Sequence, residues 1–158
     1  MDDKTQHVEL NKAIYNLFNG ESIMERAKAA NHIGYLKDAR AINSLAKALN
    51  SEKDQVVINR IIEAMGEIKN AKATMLIVKI LKQELKLPEE NQDKQRLFLI
   101  IESLMKIGDK RALEHLGILL NSCYEDIRNL TAEAFECIDP SWRSNVKKYF
   151  NNETNQNL

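Results

Sequence analysis

Two prolines and five glycines among 158 residues leave this chain few places to break a helix. Strict alternation of apolar and polar residues is also rare, which removes the main support for strands. There are only two cysteines, Cys123 and Cys137, spaced 14 residues apart with no Cys-x-x-Cys pattern, so neither a disulfide framework nor a zinc site is suggested. They are expected to be reduced and partly buried thiols. No apolar run approaches the roughly 20 residues that span a bilayer, and the opening MDDKTQHVEL lacks the apolar core of a signal peptide. The expectation is therefore a cytoplasmic chain without membrane contact. An excess of charge is missing too: Lys+Arg and Asp+Glu stand at 23 each, so the long-range attraction to polyanions is absent and nucleic acid is a disfavoured partner.

What is present is 44% apolar and 29% charged residues, the balance of a soluble folded domain. It is arranged with a period. Leu36, Ile68 and Ile107 are separated by 32 and 39 residues, and they open the similar hexads LKDARA, IKNAKA and IGDKRA. Within each hexad Asp38, Asn70 or Asp109 can accept a hydrogen bond from a free backbone N–H in the first turn of a helix, a cap worth about 1 kcal/mol. Apolar residues then return at helical spacing: Ile42, Leu45 and Leu49; Ile77 and Leu81; Leu113, Leu116 and Leu120. Ahead of each cap lies another helix, carrying Ala30 and Ile33, then Ile62 and Met65, then Ile101 and Leu104. The unit is helix, tight turn, helix. A hairpin of about 32 residues cannot bury its apolar face alone, so repeating the unit is what creates a core.

A fourth unit begins at EDIRNLTAEAF, with Ile127, Leu130, Ala134 and Ile138 on one stripe, and DPSW starts a short last helix on which Trp142, Val146 and Phe150 share a face. Leu10, Ile14 and Leu17 give residues 4–19 an apolar stripe, and Gly20 reads as a left-handed helix stop. The expected organisation is one domain over 1–150: a capping helix at 4–19, repeats at 22–50, 54–87, 92–121 and 124–150, and a disordered tail at 151–158. The fragment KQELKLPEENQDKQR lengthens the loop ahead of the third unit and reads as a surface excursion.

These hexads, with Arg26, Ile33-Gly34, Met65-Gly66 and Ile127-Arg128, resemble the HEAT-like repeats, particularly the short type named after phycobiliprotein lyases. The resemblance covers about residues 22–150 and is closest in ERAKAANHIGYLKDARAINSLAKAL. It implies an all-α, right-handed solenoid of about four hairpins, with first helices on the convex side and second helices lining the concave side. It also implies that Arg26 and Arg128 bind backbone or acidic groups inside the stack.

Convergent catalytic groups are not found in the sequence. His7, His32 and His115 stand on separate elements, with no metal-ligand spacing. HEAT-like hydroxylases of a modified lysine carry paired His-Glu motifs, whereas this chain has only Glu114-His115 in reverse order. His32 replaces the small Ala64 and Ala134 of other units and is expected to be half-buried and hydrogen-bonded. Gly34 and Gly66 read as turn residues rather than a phosphate cradle. No cofactor is expected. The remaining signal is basic: Arg40, Lys72 and Arg111 align across the hexads, followed by Lys47, Lys79 and Lys82 on the second helices. As a concave strip these six residues suit a protein partner with an acidic or helical segment. The leading reading is a non-catalytic interaction scaffold. A lyase-like enzyme or enzyme subunit binding a tetrapyrrole or similar ligand is the alternative from another class, and a nucleic-acid scaffold ranks below both.

Overall fold

The computed structural model describes residues 3–145 and 149. Among them there are eight α-helices and no strand, the architecture of an all-α, solenoid-like fold. Contacts divide the chain into two compact units, one running to Ala73 and the other starting at Thr74.

The first unit contains α1 (Asp3–Asn19), α2 (Ile23–Leu36), α3 (Ile42–Ser51) and α4 (Gln55–Ile68). Helix α2 starts where Ser22 and Glu25 satisfy each other reciprocally: Ser22 Oγ accepts the Glu25 N–H at 3.1 Å and Glu25 Oε2 accepts the Ser22 N–H at 3.2 Å. Asp54 starts α4 in a simpler way, accepting from the Val56 and Val57 amides. The stripes of α2 and α4 are dry, with Ala30, Ile33, Ile61, Ile62 and Met65 all fully buried. Leu10 and Leu17 of α1 are also buried, whereas Ile14 is only half-buried.

Gly34 and Gly66 differ from the turn role expected of them. Both lie inside helices and are buried. A Cβ on Gly34 would sit 2.9 Å from the Ala64 Cα, so the glycine lets the backbones of α2 and α4 approach. The helices are stopped instead by Lys37 (φ 51°) and Lys69 (φ 55°), left-handed residues whose N–H groups donate to the carbonyls of Gly34 and Gly66. Gly20 ends α1 without entering the left-handed region; its amide donates to the Asn16 carbonyl at 2.9 Å. Of the glycines, Gly108 (φ 75°) takes the left-handed role, after α6.

The second unit contains α5 (Thr74–Glu84), α6 (Lys94–Ile107), α7 (Leu113–Leu116) and α8 (Glu125–Ile138). The stripe predicted at Leu113, Leu116 and Leu120 breaks after its second member, because the backbone tightens into a 3-10 helix over Gly117–Asn121. With three residues per turn the next inward position is Leu119, which is buried, and Leu120 is left half-exposed. On α8 the inward place expected of Leu130 belongs to Thr131, fully buried with its hydroxyl donating to the Ile127 carbonyl at 2.7 Å. A 3-10 turn, Trp142–Asn145, follows Pro140; Val146, Phe150 and the tail 151–158 lie outside the described residues.

Two arginines bind acidic and backbone groups, as the resemblance implied. Arg26 binds the Glu52 carboxylate at 2.8 Å and the Gly20 carbonyl at 3.1 Å, and Arg128 binds the carbonyls of Ser122 (2.7 Å) and Cys123 (3.1 Å). Near the C-terminus, buried Asp139 accepts from the Tyr149 hydroxyl (2.6 Å) and the Ser141 hydroxyl (2.8 Å), with Lys110 Nζ at 3.3 Å. These donors hold its carboxyl far below the usual range, and the same bond pushes Tyr149 up to about 12. No buried side-chain nitrogen or oxygen among the described residues lacks a hydrogen-bond partner.

Candidate interaction surface

The three hexads fold alike, each as a 3-10 turn opening the second helix of its hairpin. Asp38 accepts the Arg40 amide at 2.8 Å, Asn70 accepts the Lys72 amide at 2.9 Å, and Asp109 accepts the Arg111 amide at 3.0 Å. Where the cap is an aspartate, the arginine two residues on also folds its guanidinium back onto it. Arg40 Nη2 lies 2.6 Å from Asp38 Oδ2, and Arg111 Nη2 lies 2.5 Å from Asp109 Oδ2. The side-chain bond to Arg40 lowers Asp38 below its ordinary value. Arg111 does the same to Asp109, to about 2, helped by its own amide and by the Thr74 hydroxyl at 2.9 Å.

The six basic residues of the sequence-derived strip therefore divide by chemistry. Arg40 and Arg111 are half-exposed cations already matched by the acid that caps their own turn. Lys72 has only a neutral Asn70 beside it, and Lys47 on α3 and Lys79 and Lys82 on α5 are exposed. None of these four lysines makes an ion pair with a described residue. Arg40, Lys47 and Lys72 belong to the first unit and Lys79, Lys82 and Arg111 to the second. The nearby charge of Lys82 is felt at His115, whose imidazole is pushed below its ordinary value by burial first and by that lysine second.

Other expectations change in detail. His32 is exposed instead of half-buried and stacks on Tyr35, ring centroids 6.3 Å apart. Polarity keeps it at the surface, whereas Ala64 in the equivalent place is buried. Cys123 and Cys137 are free and exposed, not partly buried. No group of three or more His, Cys, Asp or Glu among the described residues is placed to hold a metal ion.

A groove of about 690 Å³ with no signal in the sequence lies between α1 and α2, lined by Lys12, Ala13, Glu25, Lys28, Ala29 and His32 among others. Val8 and Tyr15 are exposed one above the other on α1 at i and i+7. That spacing is visible in the sequence, but it reads as an apolar stripe until the opposite stripe, Leu10, Ala13 and Leu17, is known to be the buried one.

No described helix is long and apolar enough to cross a membrane. The family model for HEAT repeats matches residues 10–86. No curated protein matches the chain.

Proposed function

We propose that this chain, which the family model for HEAT repeats matches over residues 10–86, is a non-catalytic scaffold that holds a segment of another protein on the exposed faces of its second helices. HEAT repeats are generally protein-interaction scaffolds and typically carry no catalysis. The observation that carries the reading is the chemistry of the basic residues. Lysine ammonium groups left without an acidic neighbour are available to carboxylates of a partner: Lys47 and Lys72 in the first unit, Lys79 and Lys82 in the second. Arg40 in the first unit and Arg111 in the second offer a partner only the donors that the capping aspartates leave over. The partner in this reading presents an acidic or helical segment, and the encounter takes place in the cytoplasm.

The experiment is capture of partners from cell extract by the intact chain and by the Lys47→Glu, Lys72→Glu, Lys79→Glu, Lys82→Glu variant, with mass-spectrometric identification and a binding titration of the recovered protein. The lysines make no described ion pair, so the variant should keep its helical circular dichroism while affinity falls at least tenfold and the salt dependence flattens. Undiminished binding by the folded variant rejects the lysine face. A visible-absorbing tetrapyrrole travelling with the purified chain would favour the lyase-like alternative instead.

A further inference from the structure

Helices α1 and α2 run antiparallel: only residues 20–22 join them, and Gln6 near the start of α1 donates to the Leu36 carbonyl at the end of α2 at 3.2 Å. The groove between them is floored by small residues, with Ala13 and Ala29 both buried. Its rims are not polar throughout. Val8, Lys12, Tyr15 and Asn19 follow one another at i, i+4, i+7 and i+11 along α1, and Met24, Lys28 and Tyr35 follow at i, i+4 and i+11 along α2. Lys12, Asn19 and Lys28 line the groove, which places Val8 (66% exposed), Tyr15 (65%), Met24 (62%) and Tyr35 (77%) on its two shoulders.

Large apolar side chains bared along both shoulders of one groove are unusual for the terminal helices of a repeat stack, whose outer face ordinarily turns polar to end it. Shape and charge select what covers them. A floor of alanines lets a backbone come close, as Gly34 and Ala64 let α4 approach α2. The 14 residues of α2 span about 21 Å, the length of a helix of about four turns. Charge is graded along that length: Glu21 and Glu25 stand at the linker end, and Lys12 and Lys28 stand toward the other, where Glu9 offsets one of them. A helix laid in the groove with its N-terminus at the linker end sets its positive dipole end beside the glutamates and its negative end beside the lysines. A second copy of the chain suits the site poorly. Under two-fold symmetry it presents the same groove, and one groove does not fill another.

We propose that the α1–α2 groove is a second docking site, which takes an amphipathic helix of another protein that is basic in its first half and acidic in its second, runs parallel to α2 and sets its apolar stripe against Tyr15, Met24 and Tyr35. Tyrosine and methionine suit such a seat: the one is rigid with a polar tip, and the other adapts its shape to what it meets. The groove shares no residue with the second-helix lysines of the function proposed above, so either site can fail without the other.

The test selects, against the full chain, from a displayed library of peptides of 14 residues, the length of α2, with leucine or alanine on one helical stripe and Lys, Glu or Gln free at the remaining positions. Enriched peptides are expected to carry lysine early and glutamate late, and to bind about tenfold more weakly to Tyr15→Ser, a change at an exposed side chain that leaves the fold intact. Lys12→Glu with Lys28→Glu should weaken them similarly, and exchanging their late glutamates for lysines should restore binding to that variant. Affinity for the Lys47→Glu, Lys72→Glu, Lys79→Glu, Lys82→Glu variant should stay as it was. A library that yields no enriched peptide, enriched peptides indifferent to both groove variants, or peptides lost only with the second-helix lysines overturn the proposal. So does a chain that sediments as a dimer and falls to a monomer on Tyr15→Ser, which would give the groove to a second copy.

Discussion

Arg26 Nε and Glu52 Oε2 meet at 2.8 Å, with the two side chains only 21% and 13% exposed. The same carboxylate also accepts the backbone amides of Lys53 (2.9 Å) and Asp54 (3.0 Å). One anion thereby ties the first helix of a hairpin to the loop that leaves its second helix, and mutual bonding raises Arg26 and lowers Glu52 relative to their ordinary values.

Removing one partner leaves the other poorly solvated and unpaired, which costs more than the pair contributes. Arg26→Ala should lower Tm by a few degrees. Arg26→Lys should recover only part of the loss, because an ammonium cannot offer a planar fork to the carboxylate and a third donor to the Gly20 carbonyl. Equal melting of the wild type and both variants would show the bridge to be inert.

Gly34→Ala tests the close approach of α2 and α4. The new methyl would fall 2.9 Å from a backbone atom of Ala64, which cannot turn aside as a side-chain tip would. Overpacking of this kind costs about 1–3 kcal/mol, outweighing the higher helix propensity of alanine. Urea denaturation should show a lower midpoint, and a raised midpoint would mean that the helices can part without cost.

Lys69→Gly should act in the opposite sense. Lys69 holds φ 55° at the end of α4, a conformation that costs an ordinary residue about 1–2 kcal/mol. Glycine is spared most of that, less its greater freedom in the unfolded chain, so a net gain of about 0.5–1 kcal/mol in denaturant melts is expected. A net loss would place the value of Lys69 in its side chain.

The register of the 3-10 stretch is measurable by truncation. Leu119→Ala removes a buried side chain and should cost about 2–5 kcal/mol. Leu120→Ala removes a half-exposed one and should cost clearly less. The reverse order would restore the continuous α-helix that the spacing of Leu113, Leu116 and Leu120 suggests.

Asp109 gives a pH dependence with a defined sign. Its folded value is about 2 against an ordinary 3.8, so its contribution to stability is complete above about pH 4 and disappears as pH falls toward 2. Over that window wild type should lose stability more steeply than Asp109→Asn. Coincident pH slopes would show that the Arg111 and Thr74 contacts do not persist in solution.

The sequence shows the helical hairpins wherever short-range chemistry decides them. Caps are the clearest case: Asp38, Asn70 and Asp109 accept the amides two residues on, as a short polar side chain before an apolar stripe should. The basic residues of the candidate face were visible as well, but their states were not. Arg40 and Lys72 occupy the same place in their hexads and differ because one follows an aspartate and the other an asparagine, a distinction that matters only when the turn brings both side chains together.

By itself, then, the order of residues determined an all-helical, repeating chain, because helical period and first-turn caps depend on neighbours three or four positions apart. Only the tertiary structure decided that Gly34 is a packing glycine, that Leu119 and not Leu120 turns inward, and that Glu89 binds the Ser122–Cys123 turn more than 30 residues further on. Each of these depends on which backbone lies opposite, and that is set by the closing of hairpins on one another rather than by any local preference of the chain.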